Sequence, residues 1–151
     1  MIKILCVGKI KDRHLAALIE DYRERISHYH KIEIVEVKDE KISDDRNVLD
    51  IESERLLSKI GSDEYVVLLD LHGSSIDSLQ LAKDIDQVFL HHAKLTFVIG
   101  GSLGLGEAIR QRADRKIKLS DLTFLHQMTR LILLEQIYRS FKILNHETYH
   151  K

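Results

Sequence analysis

The sequence predicts an α/β fold, with a mainly parallel sheet and helices on both faces. Strand-like and helix-like runs alternate along the chain, as they do in βαβ units. The strand-like run YVVLLDL, residues 65–71, is apolar almost throughout, which is typical of a strand buried on both faces. A length of 151 residues suits one core, so we expect a single domain over 1–151.

The elements of the first half follow from local patterns. Apolar β-type runs predict strands, and apolar side chains that recur on one helical face predict helices. A polar stretch predicts a loop, and Gly61 is expected to end the helix before it. In order, these patterns predict a strand over 2–8, a helix over 15–29, a strand over 31–37, a loop over 38–47 and a helix over 48–60.

The second half is predicted by the same criteria. The run at 65–71 is a third strand, after which HGSS turns into a helix that continues to about His91. LTFVIG forms a fourth strand, and a short helix follows the glycines after it. The segment KIKLS is strand-like, DLTFLHQ is a loop, and a long helix runs to about Lys142 before the tail ILNHETYHK.

The glycine-rich stretch TFVIGGSLGLGEAIRQR, 96–112, lies between a predicted strand and a predicted helix. Ligands of parallel sheets bind outside the carboxyl ends of the strands. Those ends carry LDLHG, IGGSLG and LSDLTF, and we expect the three segments to meet at one pocket. Glycines would let the backbone approach a ligand closely, as a flat adenosine held by backbone groups requires.

The glycine loop also shares features with two other kinds of site, a phosphate-binding loop and a serine nucleophile elbow. The spacing G-x-x-G-x-G is the reverse of the dinucleotide-binding fingerprint. Glu107 and Ala108 stand where a phosphate-binding loop has lysine and then serine or threonine. Both differences disfavour a bound phosphate. GGSLG, with Ser102 at its centre, matches the G-x-S-x-G nucleophile elbow, and Asp121 and then His126, His146 or His150 follow in triad order. A serine hydrolase therefore stays an alternative, although the chain is short for that fold.

Composition restricts the compartment and the partners. The longest apolar runs are far shorter than the ~20 residues that span a bilayer, and the apolar stretch of the first residues is too short for a signal peptide, so we expect neither. The single cysteine, Cys6, lies in a strand pattern, so we expect a buried, inert thiol in a reducing cytoplasm. Net charge is −6 over 1–109 and +5 over 110–151, which indicates either an anionic partner for the second half or a solvated helix face.

Several segments together resemble one known family. The segments FVIGGSLGLGEAIRQRAD, LSDLTFLHQMTRLILLEQIYRSFKI and the terminal YHK, with KILCVGKIK and VVLLDLHG, are similar to the RlmH family of SPOUT methyltransferases. The resemblance covers essentially the whole chain. It implies transfer of a methyl group from S-adenosylmethionine to N3 of a pseudouridine in helix 69 of 23S ribosomal RNA, on the assembled ribosome. It also implies a homodimer and a deep C-terminal trefoil knot.

The resemblance also implies site residues. The family's cofactor contacts fall on the three strand-end segments. The chain departs from the family pattern at two places. Leu125 stands where the family usually has proline, and the end reads HETYHK instead of GEPYHK, which puts loop rigidity in doubt. The implied cofactor residues are Leu69, Gly100, Gly101, Leu119, Ser120, Asp121, Leu122, Thr123 and Phe124.

Candidate catalytic residues come from the C-terminal third. His126 is a candidate general base beside the cofactor loop, or a loop histidine that bonds backbone. Arg130 is the favoured phosphate-binding residue, because guanidinium matches phosphate oxygens in pairs. Tyr149 and His150 lie in a tail that the family places near the partner's active site; a disordered tail is the alternative. Basic residues that would follow RNA, or a solvated face, are Arg110, Arg112, Arg115, Lys116 and Lys118.

The remaining expectations concern metals and the long helix. The nine histidines lack metal-site spacing, so no metal is predicted. RLILLEQIYRSF is apolar around much of its circumference, which predicts burial in the core or in a dimer interface, with Glu135 paired. A third functional class stays open: a module that binds an adenosyl ligand without catalysis.

Overall fold

The computed structural model describes residues 1–41 and 47–151, and its strands form one sheet in the order β2-β1-β4-β3-β5. Every strand pairing is parallel, so the predicted fold class is confirmed. Residues 42–46 of the predicted loop over 38–47 lie outside the described residues. The elements are β1 (Ile2–Val7), α1 (Arg13–Ser27), β2 (Ile32–Val37), α2 (Val48–Leu57), β3 (Tyr65–Ser75), α3 (Ser78–His91), β4 (Leu95–Ile99), α4 (Glu107–Arg112), β5 (Arg115–Lys118) and α5 (His126–Leu144).

Helices cover both faces of the sheet, as predicted. Alternate residues of β1 enter different cores: Ile4 and Cys6 pack with α1, α3 and α5, whereas Leu5 and Val7 pack with α2 and α4. Helix α5 contributes Leu133 to the first core and packs against both α1 and α3. Burial raises the pKa of the Cys6 thiol to about 12, which makes it the inert thiol that was expected.

Strand β3 departs from the prediction that HGSS is the turn into the third helix: these residues belong to the strand, and α3 begins only at Ser78. The strand continues to Ser75, but its pairing with β5 skips four residues: Leu69 and then Ser74 both pair with Ile117. The intervening bulge brings Gly73 so close to β5 that a Cβ there would lie 2.6 Å from the Ile117 backbone. The glycine is therefore needed for a strand irregularity, which lifts residues 70–72 away from regular pairing.

The amino-terminal edge of the sheet is closed by a buried ion pair. Lys3 Nζ lies 2.7 Å from Glu64 Oε1, and Thr96 Oγ1 donates to Glu64 Oε2 at 2.6 Å. Burial alone would raise the pKa of Glu64, but the hydrogen bonds from Lys3 and Thr96 outweigh it and lower that pKa. Any ligand site among these strands is therefore expected at the opposite, carboxyl edge.

Across residues 1–41 and 47–151, no helix combines the length and the apolar character that a bilayer crossing requires.

Candidate active site

A cavity of about 630 Å³ opens at the bulge of β3 and beyond the carboxyl ends of β4 and β5. Its size lies within the range of pockets that hold a cofactor-sized molecule. The three strand-end segments expected to meet do meet here, joined by Arg110 of α4 and Thr129 of α5. The lining segments are Leu69–His72, Ile99–Leu105, Lys118–Ser120 and Leu122–His126.

The glycine loop folds back on itself at one wall of the cavity. Gly104 N–H donates to the Gly101 carbonyl at 3.1 Å, and the two glycines form a bridge. A Cβ on Gly100 would lie 2.3 Å from the Gly104 carbonyl oxygen, so Gly100 has no room for a side chain. Gly104 itself has a φ of 86°, a conformation that favours glycine. The loop therefore presents backbone directly to the cavity.

The predicted cofactor-binding residues fall almost entirely on this cavity. Asp121 is the exception: its side chain is exposed and pairs with Lys118 instead of facing inward. Whether the others hold a cofactor stays a prediction, but the structure brings them together. Those that line the cavity are Leu69, Gly100, Gly101, Leu119, Ser120, Leu122, Thr123 and Phe124.

An ion pair in the bulge of β3 adds charge to the cavity wall. Asp70 is buried, Arg110 Nε lies 2.9 Å from its Oδ2, and the His72 N–H donates to its Oδ1 at 3.0 Å. Arg110 is therefore anchored to the wall. Sequence reasoning did not select Asp70, although an acidic residue at the end of an apolar strand was a usable signal.

His126 is the first residue of α5 and lies at the rim of the cavity. Burial, and next the positive charge of Arg130, lower the pKa of His126, against the opposing effect of Asp39 and Glu52. The imidazole is therefore neutral at neutral pH. A neutral imidazole at the rim can accept a proton from a bound substrate.

Arg130 was expected to bind phosphate, but its side chain is buried inside the protein, which corrects that expectation. Its side chain is 1% exposed, Nη1 lies 2.5 Å from Glu36 Oε1, and Nη2 donates to the Gly8 carbonyl at 3.1 Å. The guanidinium therefore ties α5 to the ends of β1 and β2, and it has no surface to offer RNA. Burial of this side chain depends on contacts distant in sequence, which a local pattern does not reveal.

Tyr149 and His150 lie against α5 of their own chain and do not line its cavity. The Tyr149 hydroxyl donates to Glu135 Oε1 at 3.1 Å, and its ring lies 5.0 Å from the Tyr138 ring. Burial and hydrogen bonding raise the pKa of Tyr149. His150 Nδ1 lies 3.4 Å from Arg139 Nη1. Within one chain, the tail packs on the helix and leaves the cavity open.

The remaining basic candidates mostly have internal partners. Arg112 donates to the carbonyls of Gly61 and Glu64, and Arg115 Nη1 lies 2.6 Å from Asp84 Oδ2. Lys116 is exposed on β5. Of this group, Lys116 is therefore the best placed for a surface partner.

The loop does not have the geometry of a serine nucleophile elbow. In an elbow the serine occupies the strained turn from strand to helix, but here the left-handed φ belongs to Gly104 and α4 begins only at Glu107. Among the described residues, no hydrogen bond joins Ser102 to a histidine, and Asp121 pairs with Lys118.

Metal ligands do not gather near the cavity either. Within the part of the chain that the structure describes, no group of three or more His, Cys, Asp or Glu side chains is placed to hold an ion.

Comparison with known proteins gives consistent matches over nearly the full chain. A family model described as "Predicted SPOUT methyltransferase" matches residues 1–150. A protein of Acetivibrio thermocellus named "Ribosomal RNA large subunit methyltransferase H" is 45% identical, with 99% of each chain covered. Proteins with the same name from Shouchella clausii and Enterococcus faecalis are 44% and 43% identical, again over 99% of each chain.

Proposed function

Since the chain belongs to the SPOUT methyltransferase family named ribosomal RNA large subunit methyltransferase H, we propose that it transfers a methyl group from S-adenosylmethionine to ribosomal RNA. One structural observation carries the proposal: the cavity at the strand ends is lined largely by backbone and apolar side chains, and its glycine loop leaves no room for a side chain at Gly100 and little at Gly101. Such walls suit a flat adenosine, which needs hydrogen bonds and stacking surface instead of a phosphate cradle.

The cavity residues fit the cofactor in both shape and charge. Leu69, Leu119 and Leu122 supply apolar surface, and Gly100 and Gly101 supply backbone. Glu107 in the first turn of α4 would repel a phosphate, but an adenosyl group carries none. When bound, S-adenosylmethionine supplies an electrophilic methyl carbon on a sulfonium sulfur. The protein's task is then to hold a nucleophile in line with that carbon.

For the nucleophile we propose N3 of a pseudouridine in helix 69 of 23S ribosomal RNA, recognised on the assembled ribosome. That nitrogen carries a proton and attacks poorly until the proton leaves. His126 is neutral and lies at the cavity rim, so we assign it the acceptance of this proton. General base catalysis by a positioned histidine typically contributes ~10²–10⁴-fold.

We further propose that the protein works as a cytoplasmic homodimer, with a C-terminal trefoil knot as in its family. An exposed apolar surface beside the cavity supports a partner: Leu122 is 72% exposed, Leu125 61% and Met128 42%. In such a dimer, Tyr149 and His150 of one chain would approach the cavity of the other. The tail residues would then act at the partner's cavity, although they do not line the cavity of their own chain.

The most direct test is mass spectrometry of helix 69 from cells with and without the gene. We expect the methyl-pseudouridine signal to disappear without the gene and to return when purified protein and S-adenosylmethionine are added to the unmethylated ribosomes. An unchanged signal would overturn the proposal. Binding of S-adenosylmethionine without any transfer would instead favour the non-catalytic module, and fluorophosphonate labelling that is lost in Ser102→Ala would favour the hydrolase.

A further inference from the structure

Glu52 is a buried acidic residue of α2 whose carboxylate is only half satisfied. The residue is 5% exposed, and its Oε1 accepts the Glu40 N–H at 3.0 Å. Its Oε2 is buried and has no hydrogen-bond partner among residues 1–41 and 47–151. A buried charged oxygen without a partner is costly, so such an oxygen calls for a physical explanation.

The unpartnered oxygen lies directly against the glycine loop. A Cβ on Gly101 would lie 3.0 Å from Glu52 Oε2 and 3.4 Å from Oε1, so the carboxylate is in contact with that glycine. Gly101 in turn lines the cavity. A single glycine backbone therefore lies between a buried negative charge and the cavity, and any larger residue there would push the carboxylate away.

Two other acidic side chains near the cavity already have cationic partners. Asp70 is paired with Arg110, and Asp121 is paired with Lys118. At the cavity rim, Asp39 and, after it, Glu52 act to raise the pKa of His126 against the larger effects of burial and Arg130, so the charge of Glu52 is felt there. Glu52 is thus placed to act on a positive charge inside the cavity through space.

We propose that Glu52 is a specificity-determining residue that makes the cavity prefer cationic S-adenosylmethionine to its neutral thioether product, S-adenosylhomocysteine. The proposal rests on the function proposed above. The two molecules share the adenosine and the amino acid group, and they differ by one methyl group and the sulfonium charge. A nearby carboxylate stabilises only the charged one.

The same difference acts across the reaction. The methyl carbon moves from sulfur to the ring nitrogen, the sulfur keeps the electron pair of the broken bond, and the nitrogen's proton passes to the base. The sulfur thereby loses its charge, and with it the attraction of Glu52. The residue therefore favours entry of the methyl donor and departure of the spent product.

The test is isothermal titration calorimetry of both molecules with the full-length wild-type protein, Glu52→Gln and Glu64→Gln. Glutamine keeps the shape of Glu52 and an oxygen for the Glu40 N–H. We expect Glu52→Gln to weaken S-adenosylmethionine binding on the order of tenfold and to leave S-adenosylhomocysteine within about twofold, because only the charged ligand loses a Coulomb attraction. Glu64→Gln removes a buried carboxylate at the opposite edge of the sheet, so it should lower stability and keep the affinity ratio.

The possible outcomes separate this inference from the proposed function. Equal weakening of both ligands in Glu52→Gln would overturn the inference, because it would place the effect on a shared group or on loop packing. Failure of the wild type to bind either ligand would overturn the proposed function itself. If Glu52→Gln does not fold, Glu52→Asp withdraws the carboxylate by one methylene, and the ratio should still fall; an unchanged ratio would then contradict the inference.

Discussion

His126 and Arg130 lie one turn apart on α5, but His126 is partly exposed and Arg130 is buried. His126 reaches the cavity rim, whereas Arg130 points inward to Glu36 and the Gly8 carbonyl. The sequence predicted a role for both, and it had no means to tell them apart. Spacing within a helix shows which residues share a face, but burial of an arginine is decided by which strands pack behind it.

The first prediction concerns His126→Gln. We expect methyl transfer to ribosomes to slow by ~10²–10³-fold, because the proton acceptor is lost, while the affinity for S-adenosylmethionine changes little. In the wild type, the neutral imidazole predominates above its lowered pKa, so activity should persist at neutral pH and fall only in the acid range. The variant should lose that acid limb of the profile.

Rates measured with tritiated S-adenosylmethionine between pH 5 and 9 would check both expectations. His91→Gln, at the exposed end of α3, is the matched control and should behave as wild type. An unchanged rate in His126→Gln, or an identical pH profile, would remove His126 from the mechanism.

The second prediction is that Arg130 contributes to stability and not to RNA binding. Arg130→Met leaves Glu36 without its partner and the Gly8 carbonyl without its donor. Losing one partner of a buried pair costs roughly 3–5 kcal/mol, and the partial exposure of Glu36 places the expected loss near 2–3 kcal/mol. Urea denaturation measures this loss, and Glu36→Leu in the same chain should recover part of it.

Ribosome affinity separates the two roles of Arg130. If it bound phosphate, Arg130→Met would weaken ribosome binding and reduce the dependence of affinity on salt. We expect both to stay as in wild type for the folded fraction. Lys116→Ala, which removes an exposed cation of β5, is the comparison that should change them.

At the scale of elements, the cavity is built from the irregular segments, and those are the ones the sequence predicted least well. Most regular helices and strands were predicted to within a few residues, since their apolar periodicity is local. The bulge of β3 was assigned to a turn before a helix instead. Its cause is the pairing of Leu69 and Ser74 with one residue of β5, which no local window contains. Asp70, which lies in that bulge, was missed as well, although its place at the end of an apolar run was a local signal.

The third prediction is that Leu125→Pro stabilises the protein. Leu125 precedes α5 with φ −56°, within the range that proline imposes, and its N–H donates no hydrogen bond among the described residues. Its carbonyl, which accepts the Thr129 N–H, is kept in proline. A compatible proline should raise the free energy of unfolding by about 0.4–1 kcal/mol, because it restricts the unfolded chain.

Thermal and urea unfolding of Leu125→Pro and Leu125→Ala would check this, since alanine also removes the exposed apolar side chain but leaves the backbone free. The proline variant should be the more stable of the two. Lower stability than in the alanine variant would show that the loop needs a backbone conformation closed to proline, and that the departure from the family pattern at this position is required.

At the scale of the whole molecule, the sequence predicted the fold class correctly because strands buried on both faces and alternating helices allow few other arrangements. The sequence did not predict which surfaces contact a partner. Exposure is a property of the folded surface: Leu125 and Met128 read as ordinary apolar positions in the chain, yet both lie uncovered near the cavity mouth. The role of the tail was equally hard to predict, because Tyr149 packs on α5 of its own chain, whereas we propose that it acts at the cavity of the partner chain.

The last prediction tests whether the tail acts on the partner's cavity. Consider a dimer that joins one His126→Gln chain with one Tyr149→Ala chain. One chain keeps His126 in its cavity, and only the other chain keeps Tyr149 in its tail. If the tail serves the partner, such a heterodimer, purified through two different affinity tags, should have about half the methyl-transfer rate of the wild-type dimer, since one of two equivalent sites is complete. Each variant homodimer should be nearly inactive. If the tail serves its own chain, neither site is complete and the heterodimer should be no more active than the homodimers. The arrangement within one chain, where Tyr149 donates to Glu135 and leaves the cavity open, argues for the first outcome.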